Sequence, residues 1–295
     1  MMKLVVAAIG TFDGVHRGHL SVLNALTQYA REHDMDPVAI TFDRHPLSLI
    51  APERTPAELT PLWKKKKLLK EGGVFPKVIN FDEPLRKTSA LEWMHRLHDD
   101  FGVKALVIGY DNTFGCDGVN LSLEDYRKLG EKTGITVLTA DEVKGVSSSA
   151  IRKAVNNGDV EKAHELLGRP YSITAKVVAG NSLGHTIGFP TANIDLPLGA
   201  AVPKPGVYYA IVKTLEDGIK HPAMVNIGTR PTVMRGNDTV IEAHLIDWEG
   251  DLYGKEITVR FLKRLRDEQK FPSIDALRAQ LEIDKKNCIE YLTTI

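Results

Sequence analysis

The chain has 295 residues, and its 38 basic and 38 acidic side chains give a formal net charge of zero. This length predicts two domains. The balanced charge argues against broad electrostatic binding of nucleic acid or anionic membrane, and no apolar run is long enough to span a bilayer. Because the chain enters an apolar run almost at once, we expect no secretory signal. Cys116 and Cys288 are far apart, and we expect them to be reduced thiols of a cytoplasmic protein.

The first motif is a glycine-punctuated turn at residues 10–19, with the sequence Gly-Thr-Phe-Asp-Gly-Val-His-Arg-Gly-His. It follows a β-branched apolar run at 4–9, which predicts a buried strand, and it precedes apolar residues at helical spacing. A helix start presents free N–H groups and the positive end of the helix dipole, and both favour phosphate. We expect His16 and His19 to stabilise charge on that phosphate. The alternatives are surface histidines in an ordinary glycine-rich turn or a pair of metal ligands, for which two histidines alone are weak evidence.

Strand-like and helix-like segments alternate in the first half of the chain. Further strands are predicted at 37–42, 78–81, 105–108 and 136–139, and helices at 56–71, 90–100 and 123–132. This alternation predicts a mostly parallel, helix-covered sheet, with its ligand beyond the carboxyl ends of the strands. Polar clusters at 10–19, 43–46 and 109–115 follow strands, so we expect them to converge there. We interpret the lysine run at 64–67 as a solvated helix face.

A second motif, Gly-Val-Ser-Ser-Ser-Ala-Ile-Arg, occupies residues 145–152. Serine is a good N-cap, and the residues after it are compatible with a helix. Serine hydroxyls together with Arg152 are suited to nucleotide phosphates. A capped helix with a surface arginine is the alternative. One more helix is predicted at 159–167, and it ends at Gly168.

After Gly168 the pattern changes to short strands without helices between them. They are predicted at 171–178, 206–212, 223–227, 240–246 and 256–261, followed by a closing helix at about 274–291. Such a series predicts an antiparallel sheet or barrel. The change in pattern therefore divides the chain into domains at 1–168 and 169–295.

The densest cluster of the second half contains Gly180, Gly184 and Gly188, which are spaced by four residues. Such a loop is able to accept phosphates through backbone donors. Thr191 and Asn193 offer neutral oxygens, which suit a magnesium ion that also binds ATP phosphates. On the residues alone, a plain glycine-rich barrel loop is the simpler interpretation.

Together, residues 10–19, 147–152 and 189–193 resemble the signatures of the bacterial bifunctional riboflavin kinase/FMN adenylyltransferase family, and the resemblance covers almost the whole chain. It implies a Rossmann-like nucleotidyltransferase domain, then a small antiparallel β-barrel kinase domain with a C-terminal helix. It also implies that ATP phosphorylates riboflavin to FMN, and that a second ATP adenylylates FMN to FAD with release of pyrophosphate. Mg²⁺ and these small molecules are the implied ligands, with neither nucleic acid nor membrane as a partner. The oligomeric state stays undetermined.

The resemblance also implies residue roles, position by position. Catalytic roles fall on His16, His19, Arg152 and Glu242, of which Glu242 matches the base of the kinase. ATP-binding roles fall on Gly10, Phe12, Asp13, Gly18, Ser147, Ser148, Gly180, Gly184 and Gly188. Flavin-binding roles fall on Asp111 and Phe114, and metal-binding roles on Thr191 and Asn193. His185 stands where the family usually has arginine, so any contact of that arginine is left open.

Two alternatives stay open at this point. The chain could be a nucleotidyltransferase for another acceptor, such as pantetheine phosphate or glycerol phosphate, because the first motif recognises the nucleotide and not the acceptor. The barrel motif at 190–193 argues against this. The chain could instead be a flavin-sensing protein without activity, but the presence of His16, His19, Arg152 and Glu242 argues against that.

Overall fold

A computed structural model describes residues 4–110, 113–180, 183–214, 216, 218–229 and 239–292. The chain divides into two compact units, Met1–Ser148 and Ser149–Ile295. Among the described residues, none of the helices combines the length and apolar character needed to cross a membrane.

The first unit is a parallel sheet with helices between its strands. Its described elements are β1 (Val5–Ile9), α1 (Arg17–Glu32), β2 (Asp36–Phe42), α2 (Leu47–Ile50), α3 (Leu62–Glu71), β3 (Phe75–Ile79), α4 (Glu83–Lys87), α5 (Ala90–Phe101), β4 (Val103–Ile108), α6 (Leu123–Thr133) and β5 (Thr136–Thr139). The sheet order is β3-β2-β1-β4-β5, and every pairing is parallel. Because the order reverses at β1, a ligand crevice is expected beyond the carboxyl ends of β1 and β4. The predicted α/β fold of the first half is confirmed.

Both faces of the central strand β1 are buried. Val6 and Ala8 pack in the apolar cluster that includes residues of α1, whereas Ala7 and Ile9 pack in the cluster that includes residues of α5. Successive side chains of a strand point to opposite faces, so a strand covered on both sides needs an unbroken apolar run. That is why the first strand could be predicted from sequence.

Two predicted boundaries in this unit are wrong. The helix expected at 56–71 begins at Leu62, because Pro61 disfavours helical backbone at the residue before it and itself serves as the N-cap. The strand expected at 78–81 is β3, which begins three residues earlier, at Phe75, and ends at Ile79. Its Pro76 is tolerated because β3 lies at the sheet edge.

The lysine run contains a second correction. Lys65 is only 7% exposed, so the interpretation of residues 64–67 as a solvated face is wrong at this position. Lys65 lies one helical turn before Leu69, the other buried residue of α3. This i, i+4 spacing is the sequence signal that places the lysine on the inner face of the helix.

The second unit is a closed barrel with helices at both ends of its sequence. Its described elements are α7 (Ser148–Asn156), α8 (Val160–Leu167), β6 (Ser172–Val178), α9 (Leu183–Thr186), β7 (Ala192–Ile194), β8 (Gly206–Thr214), β9 (Lys220–Thr229), β10 (Thr239–Leu245), β11 (Glu256–Arg266) and α10 (Ile274–Leu292). The order around the barrel is β10-β7-β6-β11-β8-β9, with antiparallel pairs. The predicted barrel and closing helix are confirmed. The three-residue strand β7 was not predicted, because it is too short to show an alternating pattern.

Helix α10 is fastened to the outside of the barrel. Arg266 of β11 forms a partly buried ion pair with the buried Asp284 of α10, at 2.7 Å between Nη2 and Oδ2. Beside it, Tyr209 and Cys288 belong to the apolar cluster that α10 shares with the barrel. Burial raises the pKa of the Cys288 thiol to about 12, so this thiol stays protonated.

The two helices before the barrel are part of the second unit. Helix α8 packs against β11, and the Lys204 N–H donates to the Val155 carbonyl at 3.3 Å. A side chain on Gly158 would meet the Tyr208 hydroxyl at 2.8 Å, so the chain between α7 and α8 lies directly on the barrel. The second compact unit thus begins before residue 169. The domain boundary at 168/169 stays a prediction, namely that the chain can be divided there into two folded parts.

A comparison of two fragments tests that boundary. Fragment 169–295 lacks α8, whose Val160, Leu166 and Leu167 are buried, and each such side chain contributes roughly 1.5–3 kcal/mol. At about 4 °C per kcal/mol, we expect it to melt at least roughly 10 °C below fragment 149–295. Thermal unfolding followed by circular dichroism measures the difference. Equal melting temperatures would show that α8 is dispensable and would support the boundary at 168/169.

Candidate active sites

The turn after β1 has an unusual backbone. Phe12 and Val15 have positive φ angles of 47° and 40°, and Gly14 between them has 85°. Positive φ is unfavourable for non-glycine residues, above all for β-branched valine, and costs on the order of 1–3 kcal/mol at each. Phe12 is 2% exposed and Val15 1% exposed. Their burial holds the turn in this shape, and such retained strain is typical of functional loops.

Asp13 ties this turn to two other segments. Its carboxylate is buried and accepts the N–H groups of Leu59, at 3.1 Å, and of Thr60, at 3.0 Å. Its backbone carbonyl accepts the Ser148 hydroxyl at 2.8 Å. These bonds identify Asp13 as a support of the turn. Its predicted contact with ATP, like that of Ser147 and Ser148, stays a prediction.

His16 and His19 lie together at the start of α1. Each backbone N–H donates to the Nδ1 of the other residue at 3.3 Å, and the rings stack with centroids 3.6 Å apart. A neutral ring whose Nδ1 accepts carries its hydrogen on Nε2. Both histidines can therefore donate from Nε2 at a helix N-terminus, where an anion is already favoured.

The glycines of the motif make room for this arrangement. A Cβ at Gly18 would lie 3.2 Å from the His16 ring, so a larger residue would press on the imidazole. The Gly10 N–H donates to the Ile40 carbonyl at 3.0 Å, which extends the pairing of β1 with β2 up to the turn. Arg152 lies one turn after Ser148 on α7, in the second unit. Its predicted phosphate contact stays a prediction.

An apolar cavity of about 440 Å³ opens beyond the carboxyl ends of β1 and β2. Its lining includes Gly10, Phe42, Trp93, Phe114 and Cys116. Aromatic and aliphatic walls of this kind suit a flat aromatic ligand. Asp111, the other residue predicted to bind flavin, lies outside the described residues.

Phe114 is held in the cavity wall by Tyr126. The Tyr126 hydroxyl accepts the Phe114 N–H at 2.8 Å and donates to the Phe114 carbonyl at 2.7 Å. Both backbone groups of Phe114 are thereby satisfied by one buried side chain, which fixes the position of the ring. The sequence placed Phe114 after a strand, but Tyr126, twelve residues later in helix α6, carried no local signal of this role.

A second cleft, of about 510 Å³, lies between α1 and the segment after β5. Arg17 and Leu20 line it from the helix, and Thr139 and Asp141 line it from the other side. The Ser21 hydroxyl donates to the Asp141 carbonyl at 2.8 Å and joins the two walls. The motif at 10–19 thus borders both spaces, since Gly10 lines the first and Arg17 the second.

Lys65 is a buried cation whose charge interacts with two acidic residues near the same turn, the buried Asp13 and the exposed Glu58. Burial lowers the pKa of Lys65, while the nearby charges of Asp13 and Glu58 act to raise it. Burial, followed by the charge of Asp13, raises the pKa of Glu58, which the charge of Lys65 opposes. A buried lysine between two carboxylates neutralises charge beside the turn. The sequence interpretation missed both Lys65 and Glu58.

In the barrel unit, the loop before β7 needs glycine at three positions, each for a different structural reason. A Cβ at Gly180 would lie 1.9 Å from the Asn193 Nδ2, and one at Gly184 would lie 2.2 Å from the Phe189 carbonyl oxygen. Gly188 has a φ of 84°. The loop therefore packs directly against the segment 189–193, and Asn193, which is 7% exposed, is positioned by the bare backbone of Gly180.

Glu242 lies between two asparagines on neighbouring strands. In the register of the barrel it is directly opposite Asn193 on β7 and Asn226 on β9. Residues opposite each other in an antiparallel pair share a face, with Cβ atoms about 5 Å apart. The neighbours Ile241 and Ala243 are fully buried on the other face. Asn193, Glu242 and Asn226 therefore form one polar row, which we call the β10 row.

A cavity of about 530 Å³ borders the glycine loop. Gly180 and Thr191 line one side, and the turn 248–253 lines another. In that turn, a Cβ at Gly250 would lie 2.6 Å from the Trp248 ring, so the backbone rests on the indole. The sequence interpretation gave this turn no role. Its signal is the glycine two residues after a tryptophan, in a loop that follows a strand.

The predicted magnesium ligands, Thr191 and Asn193, fit a site in which ATP phosphates supply the other ligands. They do not fit a site in which the protein supplies all of them. In the part of the chain that the structure describes, no cluster of three or more His, Cys, Asp or Glu side chains could hold a metal. Thr191 is exposed and supplies a hydroxyl oxygen, and Asn193 supplies an amide oxygen. One or two such ligands suffice for Mg²⁺ when phosphate oxygens complete its coordination.

A sheet unit with two histidines at a glycine turn, followed by a closed barrel with a polar row around Glu242, is the architecture expected of a two-domain nucleotide-dependent transferase. The family model described as FAD synthetase matches residues 2–153, and the one described as riboflavin kinase matches residues 167–292. The chain belongs to the bifunctional riboflavin kinase/FMN adenylyltransferase family.

Individual relatives agree with this assignment. The protein of that name from Pseudomonas fluorescens is 38% identical over 95% of this chain and 90% of its own length. The one from Bacillus subtilis is 36% identical over 98% of this chain and 93% of its own. A crystal structure described as a macrolide-efflux protein from Streptococcus pneumoniae is 30% identical, with a TM-score of 0.86 over 97% of this chain and 94% of that one. The order of the two folds is therefore shared along the full length.

Proposed function

We propose that each unit runs its own step of flavin cofactor synthesis with its own ATP site. The barrel unit phosphorylates riboflavin with ATP to give FMN and ADP. The sheet unit transfers AMP from a second ATP to FMN and releases pyrophosphate. The observation that carries this proposal is that each unit has its own glycine turn, its own chemically active side chains and its own cavities.

In the barrel unit, Glu242 is the general base. The nucleophile is the terminal hydroxyl of riboflavin, and an alcohol needs help to lose its proton at neutral pH. The Glu242 carboxylate takes that proton while the oxygen attacks the γ-phosphorus in line with the departing ADP. The flanking amides of Asn193 and Asn226 on the β10 row orient the carboxylate.

Thr191 and Asn193 would hold Mg²⁺ together with the ATP phosphates. When bound, the ion neutralises charge that develops on the transferred group. The contribution of the chain is to hold the two oxygen ligands at a fixed spacing. Packing of Asn193 against Gly180 supports one of them.

In the sheet unit, His16 and His19 stabilise the reacting phosphates. The FMN phosphate oxygen attacks the α-phosphorus of ATP, and pyrophosphate leaves. The imidazole Nε2–H groups and the N-terminus of α1 donate to the charge that builds up on those oxygens. The flavin ring occupies the 440 Å³ cavity beside Phe114, and the nucleotide occupies the 510 Å³ cleft beside Arg17. The motif between them then holds the two reacting groups together.

The cysteines support a cytoplasmic location. Cys116 and Cys288 are both unpaired, as is usual in a reducing compartment. We therefore place the enzyme in the cytoplasm.

Chromatographic separation of flavins tests the two-step activity directly. Purified protein is incubated with riboflavin, ATP and Mg²⁺, and in a second reaction with FMN in place of riboflavin. We expect FMN to appear first and FAD to follow. FMN without FAD would leave the sheet unit without its assigned activity, and unchanged riboflavin would do the same for the barrel.

Replacing His19 with alanine tests the sheet unit. Loss of one stabilising donor typically costs about a hundredfold in rate, so FAD formation from FMN should fall by about that factor. Phosphorylation of riboflavin should be unchanged. His33→Ala is the matched control, because His33 is exposed at the other end of the same helix. Normal FAD formation in the His19→Ala protein would refute the role of this imidazole.

Glu242→Gln tests the base of the barrel unit. Glutamine keeps the shape and removes the basicity, and general bases typically contribute about a hundredfold or more. Riboflavin phosphorylation should fall by that factor, while FMN-to-FAD conversion and riboflavin binding stay near normal. Glu256→Gln, at an exposed position that opens β11, serves as the control. If turnover of the Glu242→Gln protein matched wild type, Glu242 would be an ordinary strand residue.

A further inference from the structure

His244 lies where the pairing between β10 and β7 stops. The paired residues are Ile241 with Ile194, Glu242 with Asn193, and Ala243 with Ala192. The next pair in this register would be His244 with Thr191, but the ladder ends one step before it. Residue 190 is a proline and has no N–H to give to a longer ladder.

Beyond the end of the ladder, a hydrogen bond of the His244 side chain connects β10 to the segment before β7. His244 Nδ1 lies 2.8 Å from the Pro190 carbonyl oxygen, across 54 residues of sequence. A carbonyl oxygen only accepts, so Nδ1 carries the hydrogen and donates it. The Pro190 carbonyl belongs to the peptide group that leads into Thr191. This bond therefore fixes the point from which Thr191 projects.

The imidazole itself has little freedom. His244 is 8% exposed, and its ring lies against that of Phe189 with centroids 5.1 Å apart. Phe189 belongs to the apolar cluster under α10. The charged groups around the ring are Lys285 and Glu282 of α10 and Asp247 after β10, and Lys285 pairs with Asp247 at 2.8 Å.

His244 also shares a face with the proposed base. It follows Glu242 by two residues on β10, and residues i and i+2 of a strand point to the same side. The strand thus presents Glu242 toward Asn193 and His244 toward the turn that carries Thr191. One rigid element sets the spacing between the base and both predicted metal ligands.

We propose that His244 is a positioning residue of the kinase reaction, which holds Thr191 in register with Glu242 by donating its Nδ1–H to the Pro190 carbonyl. This inference rests on the proposed kinase function of the barrel unit. It assigns His244 no contact with substrate. Outer partners of metal ligands typically contribute 10- to 100-fold to activity or metal affinity.

Three variants of the full-length chain test this role. Asn places an N–H donor near the position of Nδ1, Gln places one near the position of Nε2, and Phe keeps the ring without any donor. We expect His244→Phe and His244→Gln to lower kcat for riboflavin phosphorylation by about 10- to 100-fold, with little change in the KM for riboflavin. His244→Asn should recover most of the loss, and FAD formation from FMN should be normal in all three. Equal kcat losses in all three variants, or wild-type kcat in His244→Phe, would overturn the proposal.

A spectroscopic measurement separates this inference from the kinase assignment. NMR of the intact protein labelled with ¹⁵N-histidine reports which ring nitrogen carries the hydrogen, and the resonance missing from His244→Asn assigns the signal. We expect hydrogen on Nδ1 in the wild type without any substrate. An Nε2-only tautomer would overturn the proposal even if the kinase is active. Conversely, an Nδ1–H signal in a protein that leaves riboflavin unchanged would refute the kinase function and not the hydrogen bond.

Discussion

The register of strand β10 places the reactive groups of the barrel unit. Ile241 and Ala243 are fully buried, and a slip of one residue would exchange them with Glu242 on the opposite face. Burying that carboxylate without a partner would cost several kcal/mol. Apolar packing on one face of the strand therefore decides where the carboxylate lies on the other. Asn193 and Asn226 are opposite Glu242 for the same reason.

In the sheet unit, apolar packing also positions functional side chains, but it acts through a turn and not through strand register. There the residues proposed to contact phosphate follow a strained turn, and burial of Phe12 and Val15 offsets the strain. Each buried side chain contributes roughly 1.5–3 kcal/mol, against about 1–3 kcal/mol for each unfavourable φ. The bonds from Asp13 to Leu59 and Thr60 hold the same turn from the other side. His16 and His19 are thus aligned by the core of the unit.

The two proposed sites carry different chemical groups because their two reactions need different kinds of help. In the kinase step an alcohol attacks, so the site needs a base, and the base that we propose is Glu242 in a row of neutral amides. In the adenylyl transfer a phosphate monoester attacks, whose second pKa is about 6, so it is already largely ionised at neutral pH. That site needs donors for negative charge and no base. The donors that we propose are the imidazoles of His16 and His19 at the N-terminus of α1.

Much of the fold follows from local pattern. An unbroken apolar run at β1 reports burial on both faces, and the change from alternating helices and strands to strands alone separates the two architectures. Glycine spacing marked both of the loops that we propose to bind phosphate, because only glycine allows the backbone to approach a neighbouring group so closely. The sequence also brought His16 and His19 to one helix start, since three residues make almost one helical turn.

Only the tertiary structure decided the contacts between distant segments. The helical phase of Lys65 is a sequence signal for its burial, but the charge of Asp13 beside it comes from a segment far away in the sequence. His244 reaches the Pro190 carbonyl across 54 residues, and Tyr126 bonds Phe114 across a turn and a helix start that give no pattern for such a contact. The identity and spacing of the chemical groups were thus determined by the sequence itself. The contacts that hold those groups in place were decided by packing. Hydrogen bonds and burial depend on which segments meet in space, and the order of residues along the chain does not show which segments meet.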